Sequence, residues 1–544
     1  MGISIEKKTS TELDYDVIVV GAGISGINCA YRLQTETPDA KIAVFEARGD
    51  VGGTWDLFKY PGVRSDSDLF TYGFAWEPWP SSTPIAEGHL IVSYMKDCIH
   101  KYGLGKYLHF RHKVLSLDWS SKTQSWTVEM EHEGKVKQAT ARFVVLGSGY
   151  YDYHEPLKAE VPGLENFKGK VIHPQFWPKD YDYADKDMVV IGSGATAITL
   201  IPNLAKKARH PSYVVSIPNV GRPKTWAETL LSRHAAAVWQ RWWFMTFQWF
   251  MVLMCRYFPN FATKEFTKLV VKSLPEGFSH DPHFKPSYVP WQQRVCLTPD
   301  GDLQKALGGP KPKCEVVTAT IRTVTERGIE LEGLRGRSDP NGGNTSGKDG
   351  GGGAANPDKT TTTLDDVDVI VTATGLRMEF MGGIPVRVDG GAPIDWSTRR
   401  CWHSAMLSDV PNLFFMIGYV DNSWTPGADA TAWILTRVYR HMQASKVTSA
   451  TPRVGARDAA RMQDRRFWNL TSNYREAADS RLPRYGDVAP WKPRERRRGI
   501  CVHLYQPEAS FKRNTISDAV SVPTSSHRDH PSSEFQCHPS SPSW

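Results

Sequence analysis

The 544-residue sequence contains no C-x-x-C pair, and its eight cysteines, at 29, 98, 255, 296, 314, 401, 501 and 537, form no dense framework. That spacing excludes a disulfide scaffold, a thiolate metal cluster and a dithiol redox centre, and it fits a reducing compartment. The opening "MGISIEKKTSTELD" has no apolar core of signal-peptide length, so a cytoplasmic location is expected. A strong charge of one sign is missing as well. Lys and Arg total 66 against 58 Asp and Glu, and the net charge of +8 sits partly in "KPRERRR", Lys492 to Arg498. An acidic cofactor would profit from that field, but no nucleic-acid partner is required by it. His503, His527, His530 and His538 lack metal-ligand spacing, so no metal is expected, and their Ser-, Pro- and His-rich surroundings, 500–544, read as a disordered tail. What remains is 40 % hydrophobic with a negative mean hydropathy, a globular chain long enough for roughly two to four domains.

Glycine, by contrast, is placed where backbone must approach a phosphate. "DYDVIVVGAGISGINCAYRL", from Asp14 to Leu33, reads as a buried apolar strand, a turn through Gly21, Gly23 and Gly26, and a helix with apolar spacing. "DKDMVVIGSGATAITLIPNLAKKA", from Asp185, repeats the plan 171 residues later, counted from Gly21 to Gly192, with Gly194 second and Ala197 in third place. In such units the first glycine makes the tight turn, the second lets backbone approach a pyrophosphate, and the third lets helix pack on strand. The helix N-terminus faces the phosphates. After the first unit, "KIAVFEA" ends in Glu46, 25 residues beyond Gly21, where a carboxylate accepts ribose hydroxyls and rejects a 2′-phosphate. The first nucleotide is therefore FAD or NAD. The same count from Gly192 reaches Ile217 inside "YVVSI", with no acid at its end but Arg209, Arg222 and Lys224 around it, which favours NADP.

Between the two units lies "FKGKVIHPQFWPKD". Its Phe167, Gly169, His173, Trp177 and Pro178 match the F-x-G-x-x-x-H-x-x-x-W-P fingerprint of the Baeyer-Villiger monooxygenases, the class B flavoprotein monooxygenases. Related N-oxidising enzymes carry Tyr where this chain has Trp177. "GGTWDLFKYPGVRSDSDLFTYGF" from Gly52, "PWQQRVCLTPDGDL" from Pro290, "VTATG" from Val371 and "IGYVDNSWT" from Ile417 are similar to further blocks of the ethionamide-activating, FAD-containing group of that family. The likeness runs roughly from Asp14 to Trp491.

The resemblance implies an α/β fold with two Rossmann-like domains, one for FAD and one for NADP, and a helical insertion in the NADP domain. It implies a monooxygenase that uses FAD, NADPH and O2 to insert oxygen beside the carbonyl of an apolar ketone through a flavin C4a-peroxide, giving an ester or lactone. S- or N-oxygenation of a thioether or amine by the same route, or an impaired FAD-binding homologue, are the alternatives. Arg294 matches the arginine placed over the flavin, and Asp66 the aspartate that orients it. An Asp in "SDSD" is, on its own, more often a helix cap. FAD contacts fall at Gly21, Gly23, Ser25, Gly26, Glu46, Thr54, Trp55, Asp56, Asp66 and Val114. NADP contacts fall at Arg64, Ser65, Gly192, Ser193, Gly194, Ala195, Thr196, Ala197 and Arg209. His173 is implied as the pivot of a hinge between the two domains.

The expected organisation is an FAD domain in two parts, 1–155 and 365–499, and an NADP domain in two parts, 156–225 and 290–364, with the helical insertion at 226–289. Gly333 to Thr363 reads as a low-complexity insert. From Gly192 to Arg209 there are only 17 steps, too few for a full second strand if Arg209 is the 2′-phosphate ligand. "AAAVWQRWWFMTFQWFMVLMCRYF", Ala235 to Phe258, is interrupted by Gln240, Arg241 and Gln248. It is expected to be a buried or substrate-lining helix, with interfacial membrane contact as the alternative.

Overall fold

The computed structural model describes residues 12–158, 160–206, 233–286, 288–290, 292, 301–308, 314–337, 361–419 and 422–494. The first sheet is built on strand β1 (Tyr15–Val20), flanked in parallel by β2 (Ile42–Phe45) and by the end of a long strand. Both β1 and β2 are apolar almost throughout because both faces of a parallel sheet are covered. The meander β3 (Lys113–Ser120), β4 (Ser125–His132) and β5 (Lys135–Leu146) is antiparallel, and β5 changes partner midway. Its first half closes the meander, and its second half runs parallel to β1 with Leu413–Phe415 on its other side.

Helix α1 (Ile24–Glu36) follows β1, and α2 (Leu69–Tyr72) is capped by Asp68, whose Oδ1 accepts from the Thr71 N–H at 2.8 Å. The cap that "SDSD" offered thus belongs to Asp68, and Asp66 makes no hydrogen bond or ion pair among the described residues. Helix α1 lies against a later helix, Trp424–Ser445. There buried Asp429 accepts from Arg32 Nε at 2.7 Å and from Asn28 Nδ2 at 3.0 Å, so its charge is paired by the half-buried Arg32 and its hydrogen bonds are made.

The second sheet is small and parallel: β6 (Lys170–Ile172), β7 (Met188–Ile191) and, between them, Val369–Thr372. Helix α3 (Ala195–Leu204) follows β7. The expected division at 364 is therefore corrected. Val369–Thr372 pairs along its length with both β6 and β7, so the second nucleotide unit extends past 364 to Thr372. A separate antiparallel sheet is made by β8 (Val317–Val324), β9 (Ile329–Arg337) and β10 (Thr362–Leu364). The expected insert at 333–363 thus has strands at both ends, and 338–360 lie outside the described residues. "YVVSI" also lies outside them, as does the tail 500–544.

Two helices form the insertion, α4 (Arg233–Tyr257) and α5 (Pro259–Ser273). The polar residues that interrupt α4 face the first domain. Arg241 is buried, and its Nη1 donates to the carbonyls of Phe70 (2.9 Å), Thr71 (3.1 Å) and Gly73 (2.7 Å), the orphan acceptors at the end of α2. Gln248 Nε2 donates to Asp68 and, at 3.2 Å, to Thr71 Oγ1.

Candidate functional site

A cavity of about 930 Å³ lies between the two glycine turns. On the first side Gly21 has φ +102°, and a Cβ there would stand 2.8 Å from the Gly147 carbonyl at the end of β5. Gly26 allows still less, since its Cβ would fall 1.9 Å from the Gly21 oxygen, so this third glycine is what lets α1 meet β1. Gly23 and Gly53 touch backbone to backbone, a Cβ on Gly53 lying 3.1 Å from the Gly23 Cα. No side chain caps α1 at Gly23, and its first turn holds no acid, so the helix end is open to an anion.

Glu46 is buried at the tip of β2. Its Oε2 accepts from the Ala22 N–H at 2.7 Å and its Oε1 from the Arg48 N–H at 2.9 Å. Glu46 lines the cavity, and each of its oxygens retains acceptor capacity beyond these bonds, the requirement for holding a ribose diol. Bare glycine backbone, an uncapped helix and this carboxylate together fit the adenine dinucleotide half of FAD.

On the second side Gly192 has φ +137°, and a Cβ would meet the Ala373 oxygen at 2.2 Å, the same device with Ala373 standing where Gly147 stands in the first unit. Gly194 caps α3 without a side-chain bond, and a Cβ there would meet nothing within 4 Å. Arg64 reaches in from the first domain. Its Nη1 is held by Asp302 Oδ2 at 2.6 Å, while its buried Nη2 has no hydrogen-bond partner among the described residues. An open helix end beside an unsatisfied guanidinium N–H fits a nicotinamide dinucleotide.

Of the residues singled out in the sequence, Gly21, Gly23, Ser25, Glu46, Thr54, Trp55, Arg64, Asp66, Val114, His173, Ala195 and Thr196 line this one cavity. The others do not. Gly26, Gly192 and Ala197 act by close packing, with Ala197 fully buried in the first turn of α3. Asp56 turns aside to pair with Arg48 and Lys59. Ser65 is buried, with its hydroxyl and amide engaged by Ser67 and Ala86 rather than open to a nucleotide. Ser193 and Gly194 stand at the rim of the turn. Arg294 and Arg209 lie outside the described residues.

Four further aromatic walls of the cavity, Tyr60, Tyr72, Tyr150 and Trp424, were not singled out in the sequence. Trp424 Nε1 donates to Ser25 Oγ at 2.8 Å and stacks on Tyr150 with centroids 4.9 Å apart. Trp55 Nε1 donates to Tyr72 Oη at 2.8 Å. The Tyr60 hydroxyl bonds to Thr196 across the domain boundary, and burial pushes it up to about 12, so it stays protonated. The "LGSG" after β5 carried a signal for part of this: a third glycine turn at a strand end.

The chain crosses between the domains twice, and the two crossings form an antiparallel ribbon. Tyr151 bridges Met378, the Asp152 N–H donates to the Arg377 carbonyl at 2.9 Å, and the Glu379 N–H to the Tyr150 carbonyl at 3.0 Å. The fingerprint expected to be the hinge is not itself the crossing, because its Lys170–Ile172 is strand β6 inside the second sheet. Instead it braces the ribbon. His173 Nε2–H donates to the Gly375 carbonyl at 3.2 Å, its Nδ1 accepts from the Gln175 N–H at 3.3 Å, and Gln175 Nε2 donates to the Asp152 carbonyl at 2.7 Å. Burial lowers the His173 pKa, which keeps the ring neutral with its proton on Nε2. Phe167 and Trp177 are buried on either side, and Gly169 is obligatory because a Cβ would stand 2.5 Å from the Asp368 carbonyl.

Among the described residues, no helix is long and apolar enough to cross a membrane, and no group of His, Cys, Asp and Glu could hold a metal ion. Residues 14–282 match the family described as Flavin-binding monooxygenase-like. The chain is 39 % identical over 488 residues to the FAD-containing monooxygenase EthA of Mycolicibacterium smegmatis, covering 88 % of this chain and 92 % of that protein. It is 36 % identical over 490 residues to the probable FAD-binding monooxygenase AlmA of Acinetobacter baylyi, with the same coverage. Among solved structures it is similar to OTEMO in complex with FAD and NADP, with a TM-score of 0.61 at 19 % identity over 81 % of this chain and 87 % of that one.

Proposed function

The chain belongs to the flavin-binding monooxygenase-like family, and from that premise we propose that it oxidises NADPH and inserts one oxygen atom of O2 beside the carbonyl of an apolar ketone, giving an ester or lactone. The observation that carries this reading is one cavity lined by Gly21, Gly23 and Glu46 of the first unit and by Ala195 and Thr196, at the start of α3, in the second. Two nucleotides held on its two sides would share one space, as electron transfer between them requires. When bound, the reduced flavin supplies the electrons that divide O2, one atom going to the substrate and the other to water.

The rest is the work of this chain's own residues. The N-terminus of α1 and Glu46 hold the FAD phosphates and ribose, and the N-terminus of α3 with Arg64 holds the nicotinamide nucleotide. Arg294 carries the fixed positive charge against which negative charge develops on oxygen, because a guanidinium stays protonated and offers a planar fork. Asp66 faces the cavity unengaged and is the carboxylate that orients it. Tyr60, Tyr72 and Trp55 wall the site with rings and exclude water. A carbonyl substrate is favoured by Trp177, the branch-marking residue of the fingerprint, packed against Tyr183 at 6.1 Å.

The test is to supply the purified protein with NADPH and air together with an apolar ketone or its sulfide counterpart. One ester formed per NADPH consumed is the expected result. Sulfoxide without ester assigns heteroatom oxygenation, and NADPH consumption with neither product overturns the proposal. Arg294→Ala is expected to abolish ester formation, a loss of at least about a hundred-fold, while flavin content is unchanged.

A further inference from the structure

Helix α4 carries large apolar side chains on its outward face as well as on its inward one, where Ala236, Met245 and Cys255 are buried. Its inward face carries Arg241, Gln240 and Gln248 onto the first domain, and its outward face carries rings. Trp243, Phe247 and Phe250 continue into Tyr257 and Phe258 at the junction with α5 and Phe261 in its first turn, each between 51 % and 68 % exposed. Isolated exposed apolar residues are ordinary, but a contiguous run of six large rings is the signature of a surface that something covers.

The charge beside that run says what covers it. From Arg256 to Lys272 there are four basic side chains, Arg256, Lys264, Lys268 and Lys272, all exposed, against one acid, Glu265, which is taken up by Lys268 at 2.7 Å. Two copies of this face would bring like charges together, whereas rings that sink into a headgroup layer beside lysines that remain in the water suit a lipid surface of negative charge. Among the described residues no helix is long and apolar enough to cross a bilayer, so the contact proposed for α4 and α5 lies in the interface.

We propose that the exposed face of α4 and α5 docks the protein on the surface of an anionic lipid bilayer. Helix α4 rests on α2, whose Tyr72 lines the cavity, so docking would bring the site within one helix of the lipid.

The experiment is cosedimentation of the full flavin-loaded chain with phosphatidylcholine vesicles, with or without about 30 % phosphatidylglycerol. The parent protein is expected to bind the anionic vesicles and to be released as salt rises. Trp243→Ser, Phe250→Ser and Phe258→Ser together are expected to lower binding at least about tenfold, with flavin content and lipid-free NADPH oxidation unchanged. Lys264→Gln, Lys268→Gln and Lys272→Gln together are expected to remove the preference for anionic vesicles. No binding by the parent, or equal binding by the triple-Ser variant, overturns the proposal. So does a parent dimer that the Ser substitutions dissociate without altering vesicle binding, since the face would then be a contact between copies. Flavin content and NADPH oxidation, read without lipid, report on the enzymatic reading separately.

Discussion

At the scale of the residue, two aspartates two positions apart do different work. Asp68 is spent on the end of α2, whereas Asp66 faces the cavity with no bond among the described residues. Asp68→Ala is expected to lower stability by about 1 kcal/mol in chemical denaturation, the ordinary value of an N-cap. Asp66→Ala should leave the unfolding midpoint unchanged and depress product formation. A matching loss of stability in both variants would merge their roles. Arg64→Ala removes a charge-assisted donor from the second cradle and is expected to raise the KM for NADPH roughly tenfold or more, with flavin content unaffected. An unchanged KM would place the nucleotide elsewhere. Gly26→Ala is harsher, because the added carbon meets backbone and not a movable side chain. Such overpacking typically costs about 1–3 kcal/mol or more and should release flavin.

At the scale of the element, α4 shows how a polar residue in an apolar run is misjudged by composition alone. Gln240, Arg241 and Gln248 do interrupt a membrane span, as the sequence implies, but what Arg241 and Gln248 do is dock the helix on α2. Arg241→Met leaves three carbonyls at the end of α2 without their donor. It is expected to lower stability by roughly 2–4 kcal/mol, read from the denaturant midpoint. The two cradles were legible because a glycine turn, its strand and its helix are written within some thirty residues. Val369–Thr372 was misassigned because its partners, β6 and β7, are far earlier in the chain, and nothing local in "VIVT" says which sheet it joins. Ser65 and Asp56 were placed at the site by motif, and only tertiary packing shows that their polar atoms are already engaged. The bracing role of His173 depends on Gly375, a pairing across 202 positions that no spacing rule reveals.

At the scale of the whole molecule, the basic run after Trp491 is not wholly a surface field. Arg494 is half-buried and donates to the carbonyls of Gly427 (2.6 Å) and His403 (2.7 Å), tying the end of the described chain to the helix that packs on α1. Burial first, and the neighbouring Arg494 charge second, lower His403 from its ordinary 6.5 to about 4. The unfolded chain therefore takes up a proton that the folded one refuses. Stability from this site is complete above pH 6.5 and is lost as pH falls toward 4, by up to roughly 3 kcal/mol. Denaturation at several pH values should show a shallower acid slope in His403→Gln than in the parent, and equal slopes would remove His403 from the account.

The antiparallel ribbon at Tyr150–Asp152 and Arg377–Glu379 leaves one mechanical consequence. A twin-stranded tether resists being pulled apart, because its strands share their amide bonds, but it yields readily to torsion, as isolated strand pairs do. Any swivel of the two halves about the tether's long axis would have to carry the hydrogen bond from the His173 imidazole to Gly375 with it or break it.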